Sequence, residues 1–218
     1  MPYRPGIRTR ESVLSAFADL VVEKPFALIT LDEIIETAKV TKGSLYHQFP
    51  SKYAIATELL EEEFDLGFEN LRTSLDGLTP SLEMLGASMF ESVRYQRFRP
   101  RYHAAVLLQT EIGRAPGHRY EVTDRWVGFF VEQLEAAKES GDVRPDIDSQ
   151  RFGKRMLNAW VGIQQIAEFA DEKEDVFTEI ADLLQWVAES VVADDRRQYF
   201  ETYVGRYAER MRSEPPNR

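Results

Sequence analysis

The residues best suited to specific chemistry lie in one short stretch near the N-terminus. Residues 40–49 read Val-Thr-Lys-Gly-Ser-Leu-Tyr-His-Gln-Phe, and on a helix Val40, Leu45 and Phe49 would anchor it inward. The hydrogen-bonding side chains left on the outer face are those of Thr41, Lys42, Ser44, Tyr46, His47 and Gln48. Exposed donors and acceptors on a short helix suit the base edges of a DNA major groove, and Gly43 leaves room for close backbone approach.

Two further helices must hold this segment in place. Apolar residues recur at three- and four-residue intervals over residues 13–21, and Pro25 ends the helix that they predict. Thr30 and Glu33 have the spacing of a capping box, which starts a second short helix. Residues 38–40 separate that helix from the stretch above, which gives the three-helix layout of a DNA-reading helix-turn-helix.

The rest of the chain also predicts helices, with no alternating β pattern. Capping residues and glycine or proline stops place helices at about 52–75, 79–98, 100–113, 119–140, 148–170 and 175–192, a loop at 113–117 and a final amphipathic segment at 199–211. The predicted fold class is therefore all-α. The expected parts are an N-terminal helix-turn-helix DNA-binding domain at 1–55, a larger C-terminal helical domain at 56–212, and a polar tail at 213–218.

Charge is distributed unevenly along the chain. The 218 residues carry a net charge of −10, yet residues 1–60 are neutral, with seven basic and seven acidic side chains. A neutral N-terminal segment followed by an acidic remainder permits DNA binding and discourages nonspecific binding to DNA. The composition therefore neither excludes nor establishes DNA binding.

Composition also bears on compartment and on class of protein. No apolar run approaches the ~20 residues of a membrane span, and the first ten residues lack a signal-peptide core, which predicts a cytoplasmic protein without a membrane partner. The chain has no cysteine, and its histidines at 47, 103 and 118 lack metal-ligand spacing. Without a phosphate loop or a nucleophile elbow, we expect no catalytic residues, no metal, no cofactor and no enzyme activity.

The helix-turn-helix segment resembles a known bacterial family. The matching residues are Ile34, Ala38, Val40, Thr41, Leu45, Tyr46, Phe49 and Lys52, together with Arg10, Ala16 and Phe17 upstream. Their types and spacing are similar to those of the TetR family of regulators, over about the first quarter of the chain. The family usually has glycine where Pro25 and Lys39 stand, and often histidine or tyrosine where Gln48 stands. Lys39 in such a position predicts a left-handed backbone, and these departures leave the operator sequence open.

The resemblance implies a role for each matching position. The residues that would face bases or nearby backbone are Thr41, Lys42, Gly43, Ser44 and His47. Thr30, Tyr46 and Lys52 would hold phosphates, helped by backbone amides at the start of the fourth helix. Simple packing is the alternative for Tyr46. Arg8 and Arg10 would touch phosphate or a minor groove, or else belong to a solvated terminus.

Three segments of the C-terminal part carry a second likeness. Residues 126–148 and 159–164, and more loosely 100–111, resemble the γ-butyrolactone autoregulator receptors of actinobacteria. In those receptors the tryptophan that matches Trp126 lines the ligand pocket. The residues expected to bind a small lipophilic effector here are Trp126, Phe130, Trp160, Gln164 and Leu107. Another lactone, a furan or another lipophilic metabolite would suit the same apolar side chains. Ordinary core packing is the alternative for the aromatic rings.

These features together predict a regulator that acts as a homodimer. In the TetR family the C-terminal helices form the dimer and enclose the effector pocket, so the resemblance implies that residues 56–212 are a ligand-binding and dimerisation domain. The helices at 148–170 and 175–192 would then form a four-helix interface with a second copy. The dimer would hold two recognition helices about 34 Å apart on a palindromic operator in double-stranded DNA. Effector binding would change that spacing and release a repressor. The alternatives are a helical adaptor that binds proteins and not DNA and, less favoured, an enzyme that processes a metabolite.

Overall fold

The computed structural model describes the backbone of residues 5–112, 121–169 and 175–213 and the side chains of residues 8–112, 123–167 and 175–213. Within these ranges the regular structure is helical, apart from a single β-bridge between Val143 and Val192. The predicted all-α fold is confirmed. The helices are α1 (Pro5–Glu23), α2 (Leu31–Ala38), α3 (Lys42–Gln48), α4 (Lys52–Ser74), α5 (Leu82–Phe98), α6 (Pro100–Ile112), α7 (Glu121–Glu139), α8 (Ser149–Phe169), α9 (Val176–Val191) and α10 (Asp194–Ser213), with a 3₁₀ turn at Phe26–Leu28.

The chain divides into two compact units. The described part of the first unit comprises residues 5–70 and 95–112, and that of the second comprises residues 71–94, 121–169 and 175–213. Helices α4 and α5 therefore contribute residues to both units. The first unit takes in α6 and so extends beyond the stretch 1–55 that the sequence assigns to a DNA-binding domain.

The first unit is built on an apolar core shared by its helices. Leu14 and Phe17 of α1, Ile34 of α2, Leu45 of α3 and Phe49 just after it are each at most 1% exposed. Helix α6 packs along α1 in the same unit. Because Leu45 and Phe49 are fixed in this core, the opposite side of α3 is held toward solvent.

The ends of α2 and α3 follow from local hydrogen bonds. The Glu33 backbone N–H donates to Thr30 Oγ1 at 3.2 Å, and the Thr30 backbone N–H donates to the Glu33 carboxylate at 2.8 Å, which confirms the predicted capping box. Helix α2 ends at Lys39, whose φ of 53° and ψ of 43° confirm the predicted left-handed backbone. Such a conformation costs a residue other than glycine about 1 kcal/mol. Thr41 then caps α3, because its Oγ1 accepts from the Ser44 N–H at 3.2 Å.

In the second unit α7 packs along α8, and α9 packs along α10. Helix α8 approaches α7 closely at Gly153, where an added Cβ would lie 3.1 Å from the Val127 carbonyl oxygen and 3.1 Å from the Val131 side chain. Gly141, with a φ of 82°, follows α7 in a conformation that favours glycine. Phe130, with no exposed surface, belongs to the core of this unit.

Several predicted features lie outside the described residues. These are the loop at 113–117, the first residues of the helix predicted from 119, the end of the next helix at 170, and positions 214–218 of the predicted tail. Within the described part of the chain, no helix is both long and apolar enough to cross a bilayer.

Candidate functional site

Helix α3 presents polar side chains to solvent around its two buried anchors. Leu45 and Phe49 are buried, whereas Tyr46 between them is 46% exposed. We call the outer surface of this segment the reading face; it is formed by Thr41, Lys42, Gly43, Ser44, Tyr46 and His47, of which Ser44 is half-buried and the others are exposed. The structure therefore brings the predicted base-contacting residues together on one surface.

The polar groups of the reading face differ in the hydrogen bonds and ion pairs that they already make within the protein. The Thr41 and Ser44 hydroxyl oxygens lie 2.8 Å apart and share one hydrogen bond. Each oxygen keeps lone-pair capacity for a further partner. The Lys42 ammonium lies 3.9 Å from the Asp32 carboxylate, and both side chains are highly exposed. An exposed pair of this length is weak, so Lys42 exchanges it readily for a phosphate or a base.

The hydrogen bonds of Thr30 are directed inward, to its own helix. Its hydroxyl donates to the Glu33 carboxylate at 2.9 Å, and its backbone N–H donates to the same oxygen. Both donors of Thr30 are therefore used in the capping box. A phosphate contact by the Thr30 side chain, as predicted from sequence, would have to compete with Glu33.

Lys52, at the start of α4, is also engaged within the protein. Its ammonium donates to the carbonyl oxygens of Ile29 at 2.6 Å and Phe26 at 2.7 Å, and it lies 4.3 Å from the centre of the Phe26 ring. Burial lowers the pKa of Lys52, and the nearby carboxylates of Glu111 and Glu33 oppose that shift. Lys52 thus ties the first turn of α4 to the 3₁₀ turn before α2. The predicted phosphate contact would require it to leave these carbonyls.

Glu111 is a positioning residue for the same turn, a role that no sequence pattern predicts. Its carboxylate accepts a hydrogen bond from the Phe26 backbone N–H at 2.8 Å. The two residues are 85 positions apart. No local pattern connects residues at that separation, so only the fold could reveal the pair.

The basic residues of α1 differ from each other in their surroundings. Arg10 pairs with the carboxylates of Glu58 and Glu62 on α4. Arg8 is exposed. The suggested phosphate contact is therefore open to Arg8, whereas Arg10 is held by two acidic side chains.

In the second unit, α7 and α8 bring an aromatic cluster together. Trp126 and Trp160 are each 4% exposed, and their ring centres lie 4.7 Å apart. Phe130 lies 5.7 Å from Trp126 and 6.4 Å from Trp160. Gln164, one helical turn beyond Trp160, is also buried. Three of the five predicted ligand-binding residues therefore share one apolar region, and Gln164 lies on the same helix as Trp160.

Leu107 belongs to the first unit, whereas the aromatic cluster belongs to the second. It lies on α6, half-buried. Its predicted contribution to a ligand site stays a prediction. Among the side chains that the structure describes, no group of three or more His, Asp or Glu residues could hold a metal ion.

Residues 13–59 match the family described as bacterial regulatory proteins, tetR family. That range contains all of α2 and α3 and the reading face. The sequence-based resemblance is confirmed: the segment that contains the helix-turn-helix is similar to the TetR family of bacterial regulators.

Characterised proteins and solved structures match a larger part of the chain than residues 13–59. The A-factor receptor protein of Streptomyces griseus is 26% identical over 187 residues, which cover 85% of this chain. A crystal structure of a gamma-butyrolactone receptor, described as ArpA-like, has a TM-score of 0.78 and 25% identity over 94% of this chain and 99% of its own. CprB of Streptomyces coelicolor, in complex with its biological operator sequence, gives the same scores and coverage. The second resemblance predicted from the sequence is therefore also confirmed.

The match to the A-factor receptor protein spans only 64% of the length of that relative. The two solved structures, in contrast, are matched over nearly their full length. The likeness thus extends beyond the reading face into the second unit.

Proposed function

We propose that this chain is an effector-responsive transcriptional repressor that binds a palindromic operator as a homodimer. The reading face carries this proposal: a seven-residue helix, α3, exposes Lys42, Tyr46 and His47 while Leu45 and Phe49 fix it in the core. A short helix held in this way can enter a major groove with its polar side outward. A function on DNA places the protein in the cytoplasm.

The DNA contacts divide into two sets. Thr41, Lys42, Gly43, Ser44 and His47 meet base edges or the backbone beside them. Tyr46, with its exposed phenol, holds a phosphate. Thr30 and Lys52 complete the phosphate contacts only by giving up the internal bonds to Glu33 and to the 3₁₀ turn. We therefore assign the main contacts to α3 itself.

A homodimer is supported by the apolar surface of the second unit. Trp186 on α9 is 70% exposed and Ile166 on α8 is 67% exposed. Large apolar side chains that are exposed on a single chain are typical of interfaces. A second copy that covers both helices in a four-helix interface would bury them, and would give two reading faces for the two halves of a palindrome.

The proposed effector is a small lipophilic molecule, and the aromatic cluster of Trp126, Phe130 and Trp160 is its proposed site. Apolar walls with few polar groups are typical of sites for such ligands. The likeness to a gamma-butyrolactone receptor favours a lactone of that kind. Binding would stabilise a dimer whose reading faces no longer match successive grooves, and operator affinity would fall.

Selection from a random DNA library tests the DNA-binding part of the proposal. We expect the purified protein to enrich a palindrome, and the variant Lys42→Ala/His47→Ala to enrich none, while Arg206→Ala on the exposed side of α10 leaves enrichment unchanged. If the wild-type protein enriches no sequence, the DNA-binding proposal is wrong and the adaptor alternative is favoured. Turnover of a metabolite, abolished by Trp126→Phe but not by Tyr46→Phe, would instead support an enzyme.

Mass spectrometry of molecules released from the purified protein tests the effector part. We expect a lipophilic compound that weakens binding to the selected operator. A bound compound that leaves operator affinity unchanged would contradict the release mechanism.

A further inference from the structure

Trp160 holds a buried hydrogen-bond donor that has no acceptor in the described part of the chain. The residue is 4% exposed, and its indole Nε1 finds no partner there. The nearest rings of the aromatic cluster belong to Trp126 and Phe130. A buried donor without an acceptor is unfavourable, and native interiors rarely contain one.

Other buried polar groups of the same unit have partners. The Gln133 side-chain oxygen accepts from the Ser81 backbone N–H at 3.2 Å, and the Ser88 hydroxyl donates to the Leu85 carbonyl oxygen at 2.7 Å. Ser149 accepts from the Lys138 ammonium at 2.7 Å. Buried side chains of this unit can therefore find partners within the protein, whereas Trp160 Nε1 finds none among the described residues.

We infer that the Trp160 indole N–H is the group that reads the polar end of the effector. This inference rests on the proposed function, and it assigns the ligand chemistry more narrowly: a lipophilic molecule with a carbonyl or ring oxygen that accepts from Nε1. Gln164 follows Trp160 by one turn on the same face of α8 and is buried, so it supplies the second polar group beside that oxygen.

A donor at Trp160 would make the site prefer ligands that carry an oxygen acceptor. Phe130 offers only apolar contact, so it would hold a hydrocarbon and an oxygen-containing ligand of the same shape about equally well. Trp160 Nε1 gains a hydrogen bond only with the second ligand. We therefore expect a preference of about tenfold or more for the oxygen-containing ligand, the usual effect of a buried hydrogen bond.

Calorimetric titration with two matched probes tests the inference on the full-length protein. The probes are a γ-butyrolactone with an alkyl chain and an alkylcyclopentane with the same chain, which keeps the shape but lacks both oxygens. Each is titrated into the wild-type protein and into Trp160→Phe, which keeps an aromatic ring but has no N–H. Trp126→Phe is the matched control, because it also removes one indole from the cluster.

We expect the wild-type protein to prefer the lactone by about tenfold or more and Trp160→Phe to lose that preference. Trp126→Phe should weaken the binding of both probes and keep the preference for the lactone. In addition, the indole ¹H–¹⁵N signal of Trp160, assigned by its loss in Trp160→Phe, should move downfield with the lactone and not with the hydrocarbon. This shift is measured on the wild-type protein and reports on the N–H itself; Trp160→Phe is needed only to assign the signal.

Three results would overturn the inference. If Trp160→Phe kept the lactone preference, or if the Trp160 signal did not respond to bound lactone, another group would be the donor, although the effector proposal would stand. If neither probe bound, the ligand class assigned here would be wrong. Operator binding by the same sample would then show whether the regulator proposal itself survives.

Discussion

The carboxylate of Glu111, in the last turn of α6, accepts a hydrogen bond from the backbone N–H of Phe26 at 2.8 Å. The carbonyl oxygen of Phe26 in turn accepts from the Lys52 ammonium of α4 at 2.7 Å. The turn between α1 and α2 is therefore held from two other helices of the first unit. Since this turn leads directly into α2, these two bonds help to set the position of α2 and of α3 after it.

Replacing Glu111 should destabilise the first unit. Glu111→Ala leaves the part-buried Phe26 N–H without its acceptor, and we expect a loss of about 1–2 kcal/mol in the free energy of unfolding. Glu111→Gln retains an acceptor oxygen and should lose less than half as much. Chemical denaturation followed by circular dichroism measures both. Equal stability of Glu111→Ala and the wild type would show that this bond does not hold the turn.

Lys42 and Lys52 should behave differently when each is replaced by methionine. Lys42→Met removes an exposed charge from each reading face, so the slope of log K against log salt for operator binding should fall by about 1.8 for a dimer, with stability unchanged. Lys52→Met should lower stability by about 2 kcal/mol, because hydrogen bonds from a charged donor to Phe26 and Ile29 are lost, and should change the slope little. Anisotropy titrations from low to high salt, beside denaturation curves, separate the two effects. A large change in slope for Lys52→Met would favour the phosphate role predicted from sequence.

The stability contributed by Glu33 should depend on pH. The Lys24 ammonium, which hydrogen-bonds to the Glu33 carboxylate, and the Thr30 donors lower the pKa of Glu33 from its ordinary value of 4.5 to about 2. The folded protein therefore favours ionised Glu33, so this stabilisation is present above pH 4.5 and is lost as the pH falls toward 2.

We expect Glu33→Gln to melt below the wild-type protein at pH 7, and the gap in Tm to close between pH 4.5 and 2. In a Lys24→Met background the gap at pH 7 should be smaller, because Lys24 makes the largest contribution to the shift. A gap in Tm that stayed constant across this range would contradict the account of Glu33. Thermal melts in buffers of matched ionic strength provide the measurement.

Trp186 should be required for the proposed homodimer. Trp186→Ser removes a large apolar side chain from α9 of both copies, and we expect the dimer Kd to rise at least about 100-fold. Leu78→Ser, which changes another exposed apolar residue of the second unit, should leave the Kd unchanged. Sedimentation equilibrium distinguishes monomer from dimer. A Trp186→Ser protein that remains a dimer would place the interface elsewhere.

The sequence predicts the helices and their ends well because those features are local. The Thr30–Glu33 capping box and the inward anchors Leu45 and Phe49 each depend on residues within one or two turns. The left-handed backbone at Lys39 could be predicted only from its place in the family pattern.

Other features depend on contacts that no local pattern contains. The bond between Glu111 and Phe26 joins residues 85 positions apart. The three donors of Lys52 suit phosphate and carbonyl oxygens equally, so the residue type could not predict which they meet. Likewise, the residue types of Trp126 and Trp160 show that both side chains are large and aromatic. Only the packed cluster shows that the Trp160 N–H has no acceptor among the described residues.

The proposed function is operator binding through the reading face, with release of the operator when an effector binds. Its most direct test is an anisotropy titration of the selected palindrome with wild-type protein, with and without the compound released from the purified protein. We predict saturation at two protomers for each palindrome and an operator affinity at least about tenfold weaker with the compound present. Equal binding to a scrambled duplex, or an operator affinity that the compound leaves unchanged, would contradict the claim.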